Sequence, residues 1–197
     1  LDVMKEHLKS TEENGIKTIN AEASSLFSKA ILIWREAIDR GKEFGYRNGQ
    51  TTVLAPTGTI SFMMDADTTG VEPELALVKY KLLAGEGDGI IKIVNRIVPM
   101  ALQALGYDDR QIDNVLNYID KNDTIEGCNV LRQEHLKVFD CSFKPQDGER
   151  SIHYMGHIKM MEACVPYLSG SISKTVNMPE DSTIDDIVNA YVEAWKR

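Results

Sequence analysis

Apolar residues recur every three to four positions through the first part of the chain. Leu26, Ala30, Ile33, Trp34, Ala37 and Ile38 mark one face, and Lys29, Arg35, Glu36 and Arg40 mark the other, which predicts helix up to about Gly41 or Gly45. The period then changes. Thr51-Thr52-Val53-Leu54 is short, β-branched and apolar, and it predicts a buried strand. That strand runs straight into a tight loop, Ala55-Pro56-Thr57-Gly58-Thr59-Ile60. A polar turn over residues 65–70 precedes a predicted helix at 74–83, and Gly85, Gly87 and Gly89 predict a break. Apolar residues at 90, 94, 97, 98, 101, 102 and 105 predict a further helix, kinked or divided by Pro99.

Downstream, Ile112, Val115, Leu116 and Ile119 predict an amphipathic helix across 109–120. Residues 121–150 read as loop around a short apolar piece at Val138-Phe139. Ile152, Met155, Ile158, Met161 and Val165 predict a helix closed by Pro166 and Gly170, with Met155, Met160 and Met161 as core filling. Residues 171–176 alternate enough for a strand. Ser182, with Asp185 three residues on, predicts a capped final helix whose buried stripe is Ile184, Ile187, Val188, Tyr191 and Trp195. Helix-length segments separate the two strand candidates, so the expected fold class is α/β rather than a hairpin meander.

Composition narrows the function classes. Hydrophobic residues make up 43% and charged residues 26% of the 197 positions, ordinary globular usage that excludes disorder, collagen and a disulfide miniprotein. The formal charge of −8 argues against nucleic acid or anionic membrane bound by general attraction. No apolar run reaches the roughly 20 residues of a bilayer crossing. Cys128, Cys141 and Cys164 form neither a CxxC pair nor an even set, so reduced thiols in a cytoplasmic protein are expected. The opening Leu1-Asp2-Val3-Met4 has no signal-peptide layout. Two strands cannot form a self-sufficient parallel sheet, so residues 1–197 are expected to be one contiguous domain segment, incomplete at both ends.

The loop after the first strand is the leading candidate for chemistry. Thr57 and Thr59 supply hydroxyls, Gly58 admits close backbone approach, and Pro56 withholds no donor that a ligand needs. Successive amides there can converge on an anion, although a plain turn explains the same residues. No Lys follows as in a P-loop. His153 and His157, spaced i, i+4, share a face if helical, but no third metal ligand accompanies them, and one packed and one hydrogen-bonded imidazole is the favoured account. Glu72 is either a carboxylate near the loop or a helix-start charge. Lys174 and Asn177 either reach a ligand or are solvated.

Read in order, Tyr46-Arg47-Asn48-Gly49, Leu54-Ala55-Pro56-Thr57-Gly58-Thr59-Ile60, Asp67-Thr68-Thr69-Gly70-Val71-Glu72-Pro73, Ala76-Leu77-Val78-Lys79-Tyr80-Lys81, Glu134-His135-Leu136, Val138-Phe139-Asp140-Cys141, Ile152-His153-Tyr154-Met155-Gly156-His157 and Ile172-Ser173-Lys174-Thr175-Val176-Asn177-Met178-Pro179 resemble the later part of the large chain of adenosylcobalamin-dependent (class II) ribonucleotide reductases. The resemblance implies a helix-rich contiguous fragment of a ten-stranded α/β barrel. It also implies reduction of ribonucleotides by a cobalamin-initiated thiyl radical, with a ribonucleoside diphosphate substrate and a thioredoxin-type reductant. In such enzymes the loop matching Pro56, Thr57, Gly58, Thr59 and Ile60 cradles the substrate phosphates. The family's Asn-Pro-Cys-x-Glu type loop does not occur here, so the resemblance carries no catalytic role onto Cys128, Cys141 or Cys164. The segment alone is expected to be inactive, a wall of an active site completed by the remainder of its parent polypeptide. The rival expectation is a non-catalytic structural or oligomerisation module of the same fold, whose uncovered edges recruit a second copy.

Overall fold

Helix dominates the computed structural model, which describes residues 1–15, 21–64, 66–82 and 89–197. These divide into two units, one comprising Leu1–Pro56, Lys159–Lys174 and Arg197, the other Thr57–Ile158 and Thr175–Lys196.

The helical character that the opening periodicity predicts is present as two helices of the first unit, α1 (Asp2–Gly15) and α2 (Ala21–Phe44), which pack along each other. Met4 and Ile38 are buried. So is His7, whose ring lies 5.0 Å from that of Trp34 and whose Nδ1 is 2.8 Å from the Pro166 carbonyl oxygen. That carbonyl belongs to a short 3-10 helix, Val165–Tyr167. The two predicted strands are present only as a parallel bridge between Leu54 and Ile172. The Leu54 amide donates to Ser171 at 3.2 Å and the Ser173 amide to Leu54 at 3.0 Å. The pairing is parallel, as an α/β arrangement requires, but one rung long.

The second unit is organised around a hairpin that the sequence reading missed. Strand β1 (Val78–Leu82) pairs antiparallel with β2 (Ile90–Val94), Val78 opposite Val94 and Leu82 opposite Ile90. Both were expected to be helical. The signal for strand was there: Val78, Tyr80 and Leu82 alternate with Lys79 and Lys81, and residues 90–94 are β-branched apart from Lys92. The predicted break at Gly85 and Gly87, Leu83, and Asp65 of the polar turn lie outside the described residues. Helix α4 (Ile97–Ala104) begins only after β2, with Pro99 in its first turn, where a missing N–H costs no intrahelical bond. Pro99 therefore sits near a helix start instead of kinking a longer helix.

Helix α5 (Asp109–Asn122) opens on a capping box, the Asp108 carboxylate accepting the Gln111 amide while the Gln111 side chain accepts the Asp108 amide. Its predicted face is buried: Ile112, Val115 and Ile119 join Val98, Leu102 and Tyr107 in the core. The segment read as loop, 121–150, completes that core with Ile125, Cys128, Leu131 and Phe139, the last from a 3-10 helix, Gln133–Phe139. Hydrogen bonds pin it. The Tyr107 hydroxyl accepts the Arg132 amide at 2.9 Å, and Glu126 accepts the amides of Glu149 and Arg150.

Helix α6 (Tyr154–Cys164) forms where predicted, with Ile158 buried but Met160 exposed, so that methionine is not core filling. Helix α7 (Ile184–Lys196) also forms, with two corrections. Its cap is Thr183 with Asp186, one residue later than expected: Thr183 Oγ1 accepts the Asp186 amide at 3.1 Å, and the Asp186 carboxylate accepts the Thr183 amide at 2.9 Å. The Thr183 hydroxyl also donates to Asp186, and these bonds hold that carboxyl below its usual range. The second correction is larger. The stripe expected to be buried faces outward, with Ile184 80%, Tyr191 77% and Trp195 86% exposed, while Ala190 is the buried position.

Candidate functional site

Thr57 is a β-branched residue in the left-handed region, φ 53° and ψ 29°, a conformation that such residues adopt only when their surroundings hold them there. Two contacts do so. Its Oγ1 accepts the Gly70 amide at 2.9 Å and lies 3.1 Å from the buried Ser61 hydroxyl. Gly70, itself at φ 52°, can present that amide without a Cβ penalty.

Immediately after Thr57 the chain enters a short helix, α3 (Gly58–Met63). The expectation of an irregular loop through Ile60 is therefore corrected: the left-handed Thr57 redirects the chain into a helical turn from Gly58. The Ser61 amide donates to the Thr57 carbonyl at 2.8 Å, whereas the amides of Gly58, Thr59 and Ile60 precede any intrahelical acceptor, and the Thr57 side chain does not cap them. All three residues are exposed, and open space surrounds the Gly58 Cα where a side chain would stand. Left-handed and right-handed residues in succession aim neighbouring amides to one side, the geometry of an anion nest. Pro56 ends the first unit and Thr57 opens the second.

Beside Ser61 lies a cavity of about 250 Å³ lined by Asp67, Thr69, Glu72, Glu74, Lys79 and Asn177, among others. Its cation is already engaged, Lys79 Nζ lying 2.7 Å from Glu74 Oε1, and the Asn95 amide group donates to the other Glu74 oxygen at 2.6 Å. Glu72, a candidate carboxylate, accepts the Thr175 amide at 2.7 Å and so braces the 175–177 segment. Asn177 lines the same cavity, whereas Lys174 belongs to the first unit.

The histidine pair is not a gripping face. His153 precedes α6, is exposed, and accepts the Met155 amide at 3.2 Å, whereas His157 is buried within the helix. The three cysteines are free thiols, Cys128 and Cys141 buried. Burial, then the carboxylates of Glu74 and Asp140, push the Cys141 thiol up to about 12, and its Sγ donates to the Phe139 carbonyl at 3.6 Å. A protonated thiol so placed is a packing group. Among the described residues no group of three His, Cys, Asp or Glu is arranged to hold a metal ion, and no helix is long and apolar enough to cross a membrane.

Sequence reasoning singled out Pro56, Thr57, Gly58, Thr59 and Ile60, and the structure brings Thr57 together with Ser61 and Gly70, which were not proposed as site residues. Ser61 stands four residues after Thr57, a spacing that helix from Gly58 onward would have exposed. Nothing local in the sequence signals Gly70, thirteen positions on.

Comparison with known proteins gives this geometry a family. The family model for the ribonucleotide reductase barrel domain matches residues 3–197. The chain is 58% identical to the vitamin B12-dependent ribonucleotide reductase of Rhodopirellula baltica over 173 residues, 88% of this chain and 16% of that protein. It is 44% identical to the like-named protein of Streptomyces coelicolor over 198 residues, 100% of this chain and 19% of that protein. To the vitamin B12-dependent ribonucleoside-diphosphate reductase of Mycobacterium tuberculosis it is 30% identical over 150 residues, 76% of this chain and 20% of that protein. The chain thus spans about a sixth to a fifth of the length of these relatives. With a match that runs almost from end to end, the chain belongs to the ribonucleotide reductase barrel-domain family.

Proposed function

We propose that this chain is part of a B12-dependent ribonucleotide reductase, an oxidoreductase that converts ribonucleotides to deoxyribonucleotides, and that residues 56–60 hold the substrate's phosphates. The observation that carries the reading is the left-handed Thr57, after which come three successive exposed residues, Gly58, Thr59 and Ile60, whose amides precede any intrahelical acceptor, with open space at the glycine. Backbone donors and a hydroxyl suit a polyanion. No lysine in the turn competes for it. A ligand fixed by its unreactive phosphate end presents the ribose in one orientation, so remote binding energy becomes positioning at the reacting carbon.

Adenosylcobalamin is the implied cofactor, and when bound it supplies the radical that initiates reduction. Its cobalt is carried by its own corrin ring, so it asks no ligand cluster of the protein, and among the described residues no group of three His, Cys, Asp or Glu forms one. The work we assign to this chain in the reaction is to bind and orient the substrate. A thioredoxin-type reductant and a ribonucleoside diphosphate are the expected partners of the complete enzyme, and a ten-stranded α/β barrel is its expected architecture. The single parallel rung at Leu54 and Ile172 fits strands that acquire further neighbours from the remainder of the parent polypeptide. The outward stripe of α7 supports the same reading, and it also suits the rival one of an assembly module with a second copy as cover.

The structure of the full-length polypeptide with a ribonucleoside diphosphate tests the proposal. Phosphate oxygens within hydrogen-bond distance of the amides of residues 58–60 are expected. Phosphates seated elsewhere, with this turn empty, would refute it.

A further inference from the structure

Strand β1 has two edges, and β2 covers one of them. The Asn95 amide donates to the Leu77 carbonyl at 2.8 Å, one position beyond the ladder in the same register. The hydrogen-bonded pairs are therefore Leu77 with Asn95, Lys79 with Ile93 and Lys81 with Ile91, and the amides and carbonyls of Val78 and Tyr80 point away from β2. On that outer edge the Ser142 and Phe143 amides donate to the Glu74 and Leu75 carbonyls at 2.8 and 3.1 Å, and no described amide continues the line. No described residue bonds the outward backbone groups of Val78 or Tyr80, although Val78 is only 7% exposed. Buried backbone groups are nearly always paired, so an unmet carbonyl followed by an unmet amide marks a place for a partner.

The same residues line a cavity of about 240 Å³ within the second unit. Its floor is apolar, built by Leu77, Val78, Ile125 and Phe139, and the rings of Tyr80 and Phe143, both exposed, belong to its mouth. Its charges are already matched. Asp123 pairs with Lys92 at 2.6 Å and Asp140 with Arg150 at 2.7 Å, while Glu126 accepts the Arg150 amide. Such a space suits a flat, uncharged ring whose polar edge meets backbone groups. A further strand has little room, because Val78 is buried and residues 142–143 close the edge on one side.

We propose that this cavity binds the adenine ring of a nucleoside. The exocyclic amine donates to the Val78 carbonyl, the adjacent ring nitrogen accepts the Tyr80 amide, and the ring lies between the apolar floor and the side chains of Tyr80 and Phe143. An acceptor followed by a donor complements that edge of adenine, whereas hypoxanthine presents the reverse order, carbonyl against carbonyl. The site uses none of residues 56–60 and stands without their assignment.

The test is calorimetric titration of the full-length polypeptide with adenosine and with inosine, together with hydrogen exchange. Adenosine should bind at least about tenfold more tightly than inosine. It should also slow exchange in the peptide that carries Tyr80. Phe143→Ala should weaken adenosine about tenfold through lost stacking. Tyr80→Phe keeps the ring and loses only the hydroxyl bonded to Asp123, so its affinity should stay within about twofold of the parent. If Phe143→Ala does not accumulate as folded protein, Phe143→Leu, apolar but without an aromatic face, makes the same comparison. Equal affinities for adenosine and inosine overturn the proposal, because the edge is then not read. Adenosine binding that Phe143→Ala leaves unchanged, or that does not slow exchange at Tyr80, puts the nucleoside elsewhere and overturns it too. No binding of adenosine leaves the cavity to water and ends it.

Discussion

Cys141 offers a direct test of whether the chemistry of this chain runs through its thiols. It is 7% exposed, its Sγ donates to the Phe139 carbonyl, and the carboxylates of Glu74 and Asp140 repel a negative charge there. Burial first and those charges second raise the thiol from an ordinary value near 9.0 to about 12. At pH 8 an ordinary thiol is about one-tenth thiolate, whereas one at about 12 is about one part in ten thousand, a difference of about a thousandfold in the reactive species. The sign for stability follows. The folded value lies above the unfolded one, so the neutral thiol favours the fold, fully below about 9, and that contribution is lost as pH rises toward about 12. The assay is timed iodoacetamide trapping of the full-length polypeptide at pH 8, read peptide by peptide, with half-exposed Cys164 as the internal reference. Cys141 should label at least about a hundredfold more slowly than Cys164 in the folded protein and equally fast in guanidinium. Labelling within tenfold of Cys164 in the folded state would refute the argument and return Cys141 to the list of candidate reactive thiols.

Two further outcomes follow from packing. Leu102 is 0% exposed in the core shared with Val98, Val115 and Ile119, so Leu102→Ala should cost about 3 kcal/mol. It should appear as about hundredfold faster hydrogen exchange across α5 in the full-length polypeptide, and unchanged protection would contradict that core. The α7 stripe should drive association of the isolated chain, giving a dimer or larger species on sizing chromatography, and Tyr191→Glu with Trp195→Glu should abolish it. A clean monomer of the parent chain at high concentration would refute this.

The hairpin shows where one-dimensional reading failed and why. Residues 74–83 and 90–105 contain apolar positions that satisfy a helical period, and Val78, Tyr80 and Leu82 satisfy a two-residue alternation as well. Pairing decided between them. Tyr80 stands opposite Lys92, its hydroxyl donates to Asp123 at 2.7 Å, and Lys92 Nζ lies 2.6 Å from the same residue. These partners are up to 43 residues away in sequence, beyond the reach of any local pattern. Where the controlling interaction was local, the reading succeeded: α5 carries its apolar stripe, Ile112, Val115 and Ile119, within a few residues.

The turn at Thr57 divides in the same way. Small, hydroxylated residues following a β-branched run were legible as a place where backbone could meet an anion, because composition at that point is a local property. The left-handed conformation of Thr57 was not legible, since a β-branched residue adopts it only when a distant group compels it, and that group is the Gly70 amide.

What the sequence by itself determined is the helical character of α1 and α2, the placing of α5, α6 and α7, and the family to which the order of motifs points. Only the tertiary structure decided the antiparallel hairpin, the bracing of Thr57 and the outward face of α7. Period and capping act over one or two turns of chain, so they can be read from neighbours. Strand pairing, backbone strain and burial are set by atoms brought close in space, and no local pattern records which of them will meet.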